Sequence, residues 1–199
     1  MSQAHRDYFN ALASEWSERM RYEPRFSELL QHFGVSRGDR VLDAGTGTGR
    51  MTHPLTEMVG SEGVVVAQDF AFDMVLQGCQ NDGHGDIHWV CDDLSEMGYR
   101  SGTFDKVLCF SVFPHLQDPL AVLKEVYRVL KPGGRVLILH TASSSQLNAF
   151  HASLNGIVKS DRLLSLDEMQ QCFLHARLEP VLMIDQENLY WAEGLKEAA

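Results

Sequence analysis

At 199 residues, 44% hydrophobic and 22% charged, the chain has the length and composition of one globular domain with a full core. Its 17 Lys and Arg against 27 Asp and Glu give a net charge of −10, which argues against the clustered basic surface that general nucleic-acid or anionic-membrane binding needs. No run approaches the ~18 apolar residues of a membrane span, residues 1–7 lack the apolar core of a secretory signal, and Cys79, Cys91, Cys109 and Cys172 form no C-x-x-C pair, so a cytoplasmic protein with reduced thiols is expected. In chain order, residues 2–34 are helical in pattern. Strands are then predicted at 40–44, 63–69, 87–91, 104–110, 135–140, 180–185 and 189–193, and helices at 50–59, 71–79, 119–130 and 166–176. In the helix over 119–130, Asp118 can cap and Pro119 fits the first turn, while Leu120, Leu123, Val126, Tyr127 and Leu130 form one apolar face. Lys131-Pro132-Gly133-Gly134 is read as its stop, and Ser165 with Glu168 as a capping box for the last helix. Such alternation predicts an α/β doubly wound sheet of seven strands, mostly parallel with the last strand antiparallel, and helices on both faces. One domain over 1–199 is expected, with 1–34 and the insertion 141–165 folding over the carboxyl edge of the sheet as lids.

The densest signal is Asp43-Ala44-Gly45-Thr46-Gly47-Thr48-Gly49-Arg50, directly after Val41-Leu42. A buried strand that ends in such a turn lets a ligand lie against bare backbone, and the helix start behind it offers unpaired N–H groups. The dinucleotide fingerprint is G-x-G-x-x-G; these glycines stand at 45, 47 and 49, and Arg50 takes the place of the last one. Asp69, 20 residues after Gly49 at the end of the second strand, can accept hydrogen bonds from ribose hydroxyls. Asp92 and Asp93 follow the third strand, where a carboxylate can accept from an adenine amino group. These acids indicate a nucleoside cofactor without selecting one.

Taken in order, the motifs resemble the class I S-adenosylmethionine (SAM) methyltransferases of the small-molecule, ubiquinone/menaquinone-biosynthesis-like branch. The turn with Asp43 two residues before Gly45 is similar to motif I of that family, and Cys91-Asp92-Asp93 stands where Gly-Asp-Ala is usual. Phe104-Asp105-x-Val107, the segment His115-Leu116-x-Asp118-Pro119 and the run from Val129 to Gly134 resemble the same branch. So does Tyr8-Phe9-Asn10-x-x-Ala13-x-x-Trp16, with Ser17 in place of the usual Asp. The resemblance covers roughly residues 7–140. It implies SAM held at its amino-acid end by Asp43, Ala44, Gly45, Thr46, Gly47 and Gly49, at the ribose by Asp69 with Phe70, and at the base by Asp92, Asp93 and Leu94. Tyr8, Trp16 and Phe110 are implied as aromatic cover. The amino-directed branches carry Asn/Asp-Pro-Pro-Tyr/Phe after the fourth strand; Phe110-Ser111-Val112-Phe113 lacks it, so a small-molecule acceptor is expected.

Methyl transfer from a sulfonium is an in-line displacement, and orientation alone can supply about 7–11 kcal/mol. A base is needed only when the nucleophile arrives protonated, as a phenol or enol does. Candidate bases are His115 after the fourth strand, His140 at the end of the fifth, and His151 in the insertion, one helical turn from Asn148. These three histidines near one mouth could bind a metal, but their chain separation is unrevealing, no acid–His helix pair exists, and His84 and His88 flank a turn and are no helical ligand pair, so no metal is expected. Neither nucleic acid nor membrane insertion is expected, and a homodimer is left open. Two alternatives are weighed. One is an NAD(P)-dependent oxidoreductase, disfavoured by Arg50 and by the lack of a Tyr-x-x-x-Lys pair. The other is a non-catalytic SAM-binding protein, since methyl transfer need not leave a catalytic side chain to inspect.

Overall fold

The computed structural model describes residues 2–19, 24–82 and 87–198, without the side chains of 17–19, so the Ser17 side chain and His84 lie outside the described residues. Helices α1 (Gln3–Arg19) and α2 (Arg25–Phe33) precede the sheet. Then come β1 (Arg40–Ala44), α3 (Thr52–Val59), β2 (Val64–Asp69), α4 (Phe72–Asn81), β3 (Ile87–Cys91) and β4 (Phe104–Phe110). The second half holds α5 (Pro119–Val129), β5 (Leu130–His140), α6 (Ser144–Ser153), α7 (Leu166–His175), β6 (Glu179–Gln186) and β7 (Leu189–Leu195).

The strands make one 7-stranded sheet in the order β3-β2-β1-β4-β5-β7-β6. Only β7 runs against the others, pairing antiparallel with both β5 and β6. Period-two alternation sorts the strand side chains between two cores. Leu42, Ala44, Val107 and Cys109 pack with Val122, Leu123, Val126 and Phe173 from α5 and α7. Val41, Leu108 and Phe110 pack with Phe26, Leu30, Phe33 and Leu55 from α2 and α3. Each buried Val, Leu or Phe among them contributes about 1.5–3 kcal/mol of transfer free energy.

Two local expectations change. Lys131–Gly134 is not a simple stop: α5 ends at Val129, and β5 already pairs at Leu130 with Phe104. The register then shifts and resumes at Arg135 opposite Lys106, with Gly133 N–H donating to the Lys196 carbonyl and Lys131 Nζ bridging to Asp105 at 2.7 Å. The insertion also carries a helix of its own. Ser143 and Gln146 form a capping box at the start of α6, a signal of the same kind as the one read at Ser165 and Glu168. The chain runs outward from β1 to β2 and β3 on one side, and from β4 to β5 on the other. The order therefore reverses between β1 and β4, the place where open α/β sheets bind ligands. Among the described residues, no helix is long and apolar enough to cross a membrane.

Candidate active site

The turn after β1 is bare for three separate reasons. Gly45, Gly47 and Gly49 have φ of +78°, +57° and +91°, a region that side chains disfavour. A Cβ on Gly45 would stand 2.4 Å from Val112 Cγ2, and one on Gly49 2.6 Å from the Trp89 ring. A Cβ on Gly47 would enter the gap beneath Trp16, 3.1 Å from its indole nitrogen. Asp43 lies under the turn, where the hydroxyls of Thr46 and Thr52 both donate to its Oδ2 at 2.7 and 2.8 Å. This carboxyl clamps the turn onto the start of α3.

Burial pushes the Asp43 carboxyl up to about 6, and the two hydroxyl donors only partly offset it. Because that lies above the ordinary 3.8, the folded protein keeps a proton that the unfolded chain has released. The stability from this group is full below the unfolded value and is lost as pH rises to about 6, a change of about 3 kcal/mol at most. Asp43→Asn is therefore expected to be more stable than the parent in denaturant melts at pH 7.5, with the gap closing near pH 4. A gap that does not vary with pH would refute the linkage.

Asp69 faces the same turn from the end of β2. Its Oδ2 accepts the Gly47 N–H at 2.9 Å and its Oδ1 the Ala71 N–H at 2.9 Å. Burial raises its pKa, with these backbone donors partly opposing the shift. Each oxygen retains a lone pair for a further donor. A rigid, partly satisfied carboxylate beside bare backbone suits a ribose diol, so the residues fit a nucleoside cofactor.

The parallel register places Cys91 opposite Asp69, so Asp92 begins beside the same strand end, its N–H donating to the Asp69 carbonyl at 3.1 Å. The Asp92 carboxylate accepts from Asp93 N–H at 2.9 Å and Gly98 N–H at 3.1 Å. Asp93 accepts from the Ser95 N–H and hydroxyl at 2.8 and 2.7 Å. Leu94 is a core residue, and Phe70 is buried beneath the Arg6 guanidinium, 4.4 Å away.

A cleft opens at the switch point, with about 570 Å³ of empty space that includes its open mouth. Of the residues singled out in the sequence, it gathers Gly45, Thr46, Gly47, Asp69, Trp16, Phe110 and His115. Asp43, Ala44, Gly49, Phe70, Asp92, Asp93, Leu94, Tyr8, His140 and His151 do not line it. The ring from the N-terminal pair that reaches the wall is Phe9, not Tyr8. Phe9 and Trp16 are two helical turns apart on α1 and share a face, a spacing the sequence already displayed. Arg50 also lines the cavity, its guanidinium 4.6 Å from the Phe26 ring centre and 5.3 Å from that of Phe110.

The three candidate histidines occupy different environments. His115 borders the cavity, and its Nδ1 donates to Asp161 Oδ2 at 2.6 Å. His151 is buried, with Nδ1 donating to the Asp161 carbonyl at 3.0 Å. Burial lowers its pKa, the Asp161 carbonyl opposing. His140 is enclosed against Tyr190, ring centres 6.0 Å apart, and its Nε2 has no partner among the described residues. Burial, with His115 and His151 nearby, pushes it down to about 3, so it stays neutral at physiological pH. Sequence reasoning missed His5 and Asp161, whose side chains meet at 3.0 Å across 156 positions of chain. His5, His115 and Asp161 are the group that could hold a metal ion among the described residues, with donor atoms within 4.8 Å of one another.

The chain is similar to known proteins in both sequence and fold. The family described as "Methyltransferase domain" matches residues 42–138. A ubiquinone/menaquinone biosynthesis C-methyltransferase of Idiomarina loihiensis is 33% identical over 177 residues, covering 83% of this chain and 67% of the relative. The chain belongs to the class I SAM-dependent methyltransferases. A demethylmenaquinone methyltransferase of Lysinibacillus sphaericus is 34% identical over 119 residues, 59% of this methyltransferase and 51% of the relative. Several other curated relatives are likewise matched over about half their length. In fold, the methyltransferase superposes on a SAM-dependent methyltransferase of Aquifex aeolicus with a TM-score of 0.75 at 21% identity, covering 92% of this chain and 98% of the other. The cofactor of the family is SAM, and no comparison supports the oxidoreductase alternative.

Proposed function

We propose that this methyltransferase acts on a small, largely apolar molecule seated between the glycine turn and His115. The observation that carries the reading is one continuous cavity. It joins the bare backbone at Gly45 and Gly47, the Asp69 carboxylate, the Phe9, Trp16 and Phe110 rings, and one imidazole. When bound, SAM supplies an electrophilic methyl group and a thioether leaving group. Gly47 and Asp69 hold the methionyl and ribose parts, with Arg50 positioned for the carboxylate of the tail and Asp92 and Asp93 at the base end. The aromatic walls favour a sulfonium through their ring faces and exclude water. His115 Nε2 takes the proton of a protic acceptor, and α1 and the segment 141–165 serve as lids. The relatives named for quinone biosynthesis support an acceptor with an aromatic or enolic ring. Free thiols at Cys79, Cys91, Cys109 and Cys172 support work in the reducing cytoplasm.

Thermal melting with S-adenosylhomocysteine tests the cofactor half of this reading. At a hundredfold excess over Kd, the product should stabilise the fold by about 2.7 kcal/mol, or roughly 5–11 °C for a chain of this size. NADH should give no shift. Melting curves that ignore S-adenosylhomocysteine would count against the assignment.

A further inference from the structure

Asp161 is held by groups from α1, from α6 and from the segment after β4. Its Oδ2 receives His115 Nδ1 at 2.6 Å, and its Oδ1 receives His5 Nε2 of α1 at 3.0 Å. His5 is itself oriented, since the Ser2 hydroxyl donates to its Nδ1 at 2.8 Å. From α6, His151 holds the Asp161 carbonyl, and the Asn148 side chain exchanges two hydrogen bonds with Leu163 at 2.8 and 3.0 Å. Asn148 and His151, one helical turn apart, thus fix a single stretch of chain.

The carboxylate decides what His115 can do. Burial raises the Asp161 pKa, but the bonds from His115 and His5 more than offset it and hold the group below the usual range, so it is ionised at neutral pH. An ionised carboxylate only accepts, which places the His115 proton on Nδ1 and the lone pair on Nε2. No described residue hydrogen-bonds that Nε2, and the ring forms part of the cavity wall. A common metal ion fits less well. Two ligands each about 2.0–2.2 Å from an ion at tetrahedral angles stand about 3.3–3.6 Å apart. The 2.6 Å between Asp161 and His115 is the length of a charge-assisted hydrogen bond.

We propose that Asp161, steadied by His5 and His151, is the positioning residue that makes His115 Nε2 the proton acceptor for a protic methyl acceptor. The inference rests on the transferase reading above. In the step, the acceptor's bond to its acidic hydrogen breaks, the electron pair stays with the acceptor, and the proton goes to Nε2. The imidazolium so formed is paired with Asp161 and later returns its proton to solvent. Docking of α1 completes the arrangement, because it brings both His5 and the Phe9 ring, whose centre lies 4.9 Å from that of His115.

The test uses the full chain labelled with 15N-histidine, read by long-range proton–nitrogen NMR. The expected result is an Nδ1–H tautomer for His115 with a strongly downfield proton. That signal should be lost in Asp161→Asn and weakened in His5→Phe, with both variants still folded by melting. With 1,4-dihydroxynaphthalene as acceptor, Asp161→Asn should lower kcat by about 100-fold or more at unchanged KM for SAM, and His5→Phe by about 10-fold. The acid limb of the rate profile should move in both. Besides Asp161 and His5, the groups facing His115 are His140, His151 and Asp69. An Nε2–H tautomer in the parent protein, a tautomer and kcat indifferent to Asp161→Asn, or activity that requires added Zn2+ or Mn2+ would each overturn the proposal. Loss of S-adenosylhomocysteine binding with the tautomer signature intact would instead sink the transferase reading.

Discussion

Removing the imidazole at position 115 is expected to lower kcat on a hydroxyl acceptor by about 10²–10⁴-fold, the usual contribution of a general base. His115→Ala should leave the melting shift with S-adenosylhomocysteine in place, because no cofactor contact is assigned to the ring. Residual catalysis should persist, since the orientation of donor and acceptor does not pass through this side chain. Geometry sets His115 apart from His140 and His151. It is the histidine on the cavity wall, and its Nδ1 is already committed to Asp161. His151 is committed to a carbonyl, and His140 lies off the wall with burial holding it neutral. Steady-state rates and product-binding melts on the same preparation decide the matter. A His115→Ala enzyme as fast as the parent would leave positioning alone as the source of rate.

Alanine at Gly47 is expected to weaken S-adenosylhomocysteine binding by about 10- to 100-fold, in line with a few kcal/mol for overfilling a packed site. The added methyl group would sit between the turn and Trp16, 3.1 Å from the indole nitrogen. The φ of +57° adds a cost of about 1–2 kcal/mol to the fold. Valine would be worse strained there, so alanine separates blocked binding from unfolding more cleanly. Isothermal titration against the Gly47→Ala, Trp16→Ala double variant distinguishes two causes. Recovery of affinity would locate the fault in a displaced indole. Continued weakness would locate it in the cradle itself, and unchanged affinity in Gly47→Ala would show that the cofactor does not use this turn.

The alternation of strand and helix signals carried the architecture, and local chemistry carried many of the boundaries. Asp118 with Pro119 and Ser165 with Glu168 act within a few residues of themselves, so their capping bonds were legible before any fold was known. The same holds for the glycine turn and for Asp69, which falls at the end of its strand by spacing. The start of β5 was misplaced at Arg135 because its early pairing depends on Phe104 and on Lys196, partners remote in the chain.

By itself, the sequence determined a doubly wound sheet with a bare glycine turn at its switch point, because strand period, turn residues and caps are short-range properties. Only the tertiary structure decided which side chains stand together at the mouth. It brought Phe9 rather than Tyr8 to the wall, spent Asp43 beneath the turn, and joined His5, Asp161 and His115 across three separate segments. Such contacts arise from the packing of α1 on α4 and of both α1 and α6 on the turn Ile157–Ser160, and no periodicity along one segment records the partner it will meet in another.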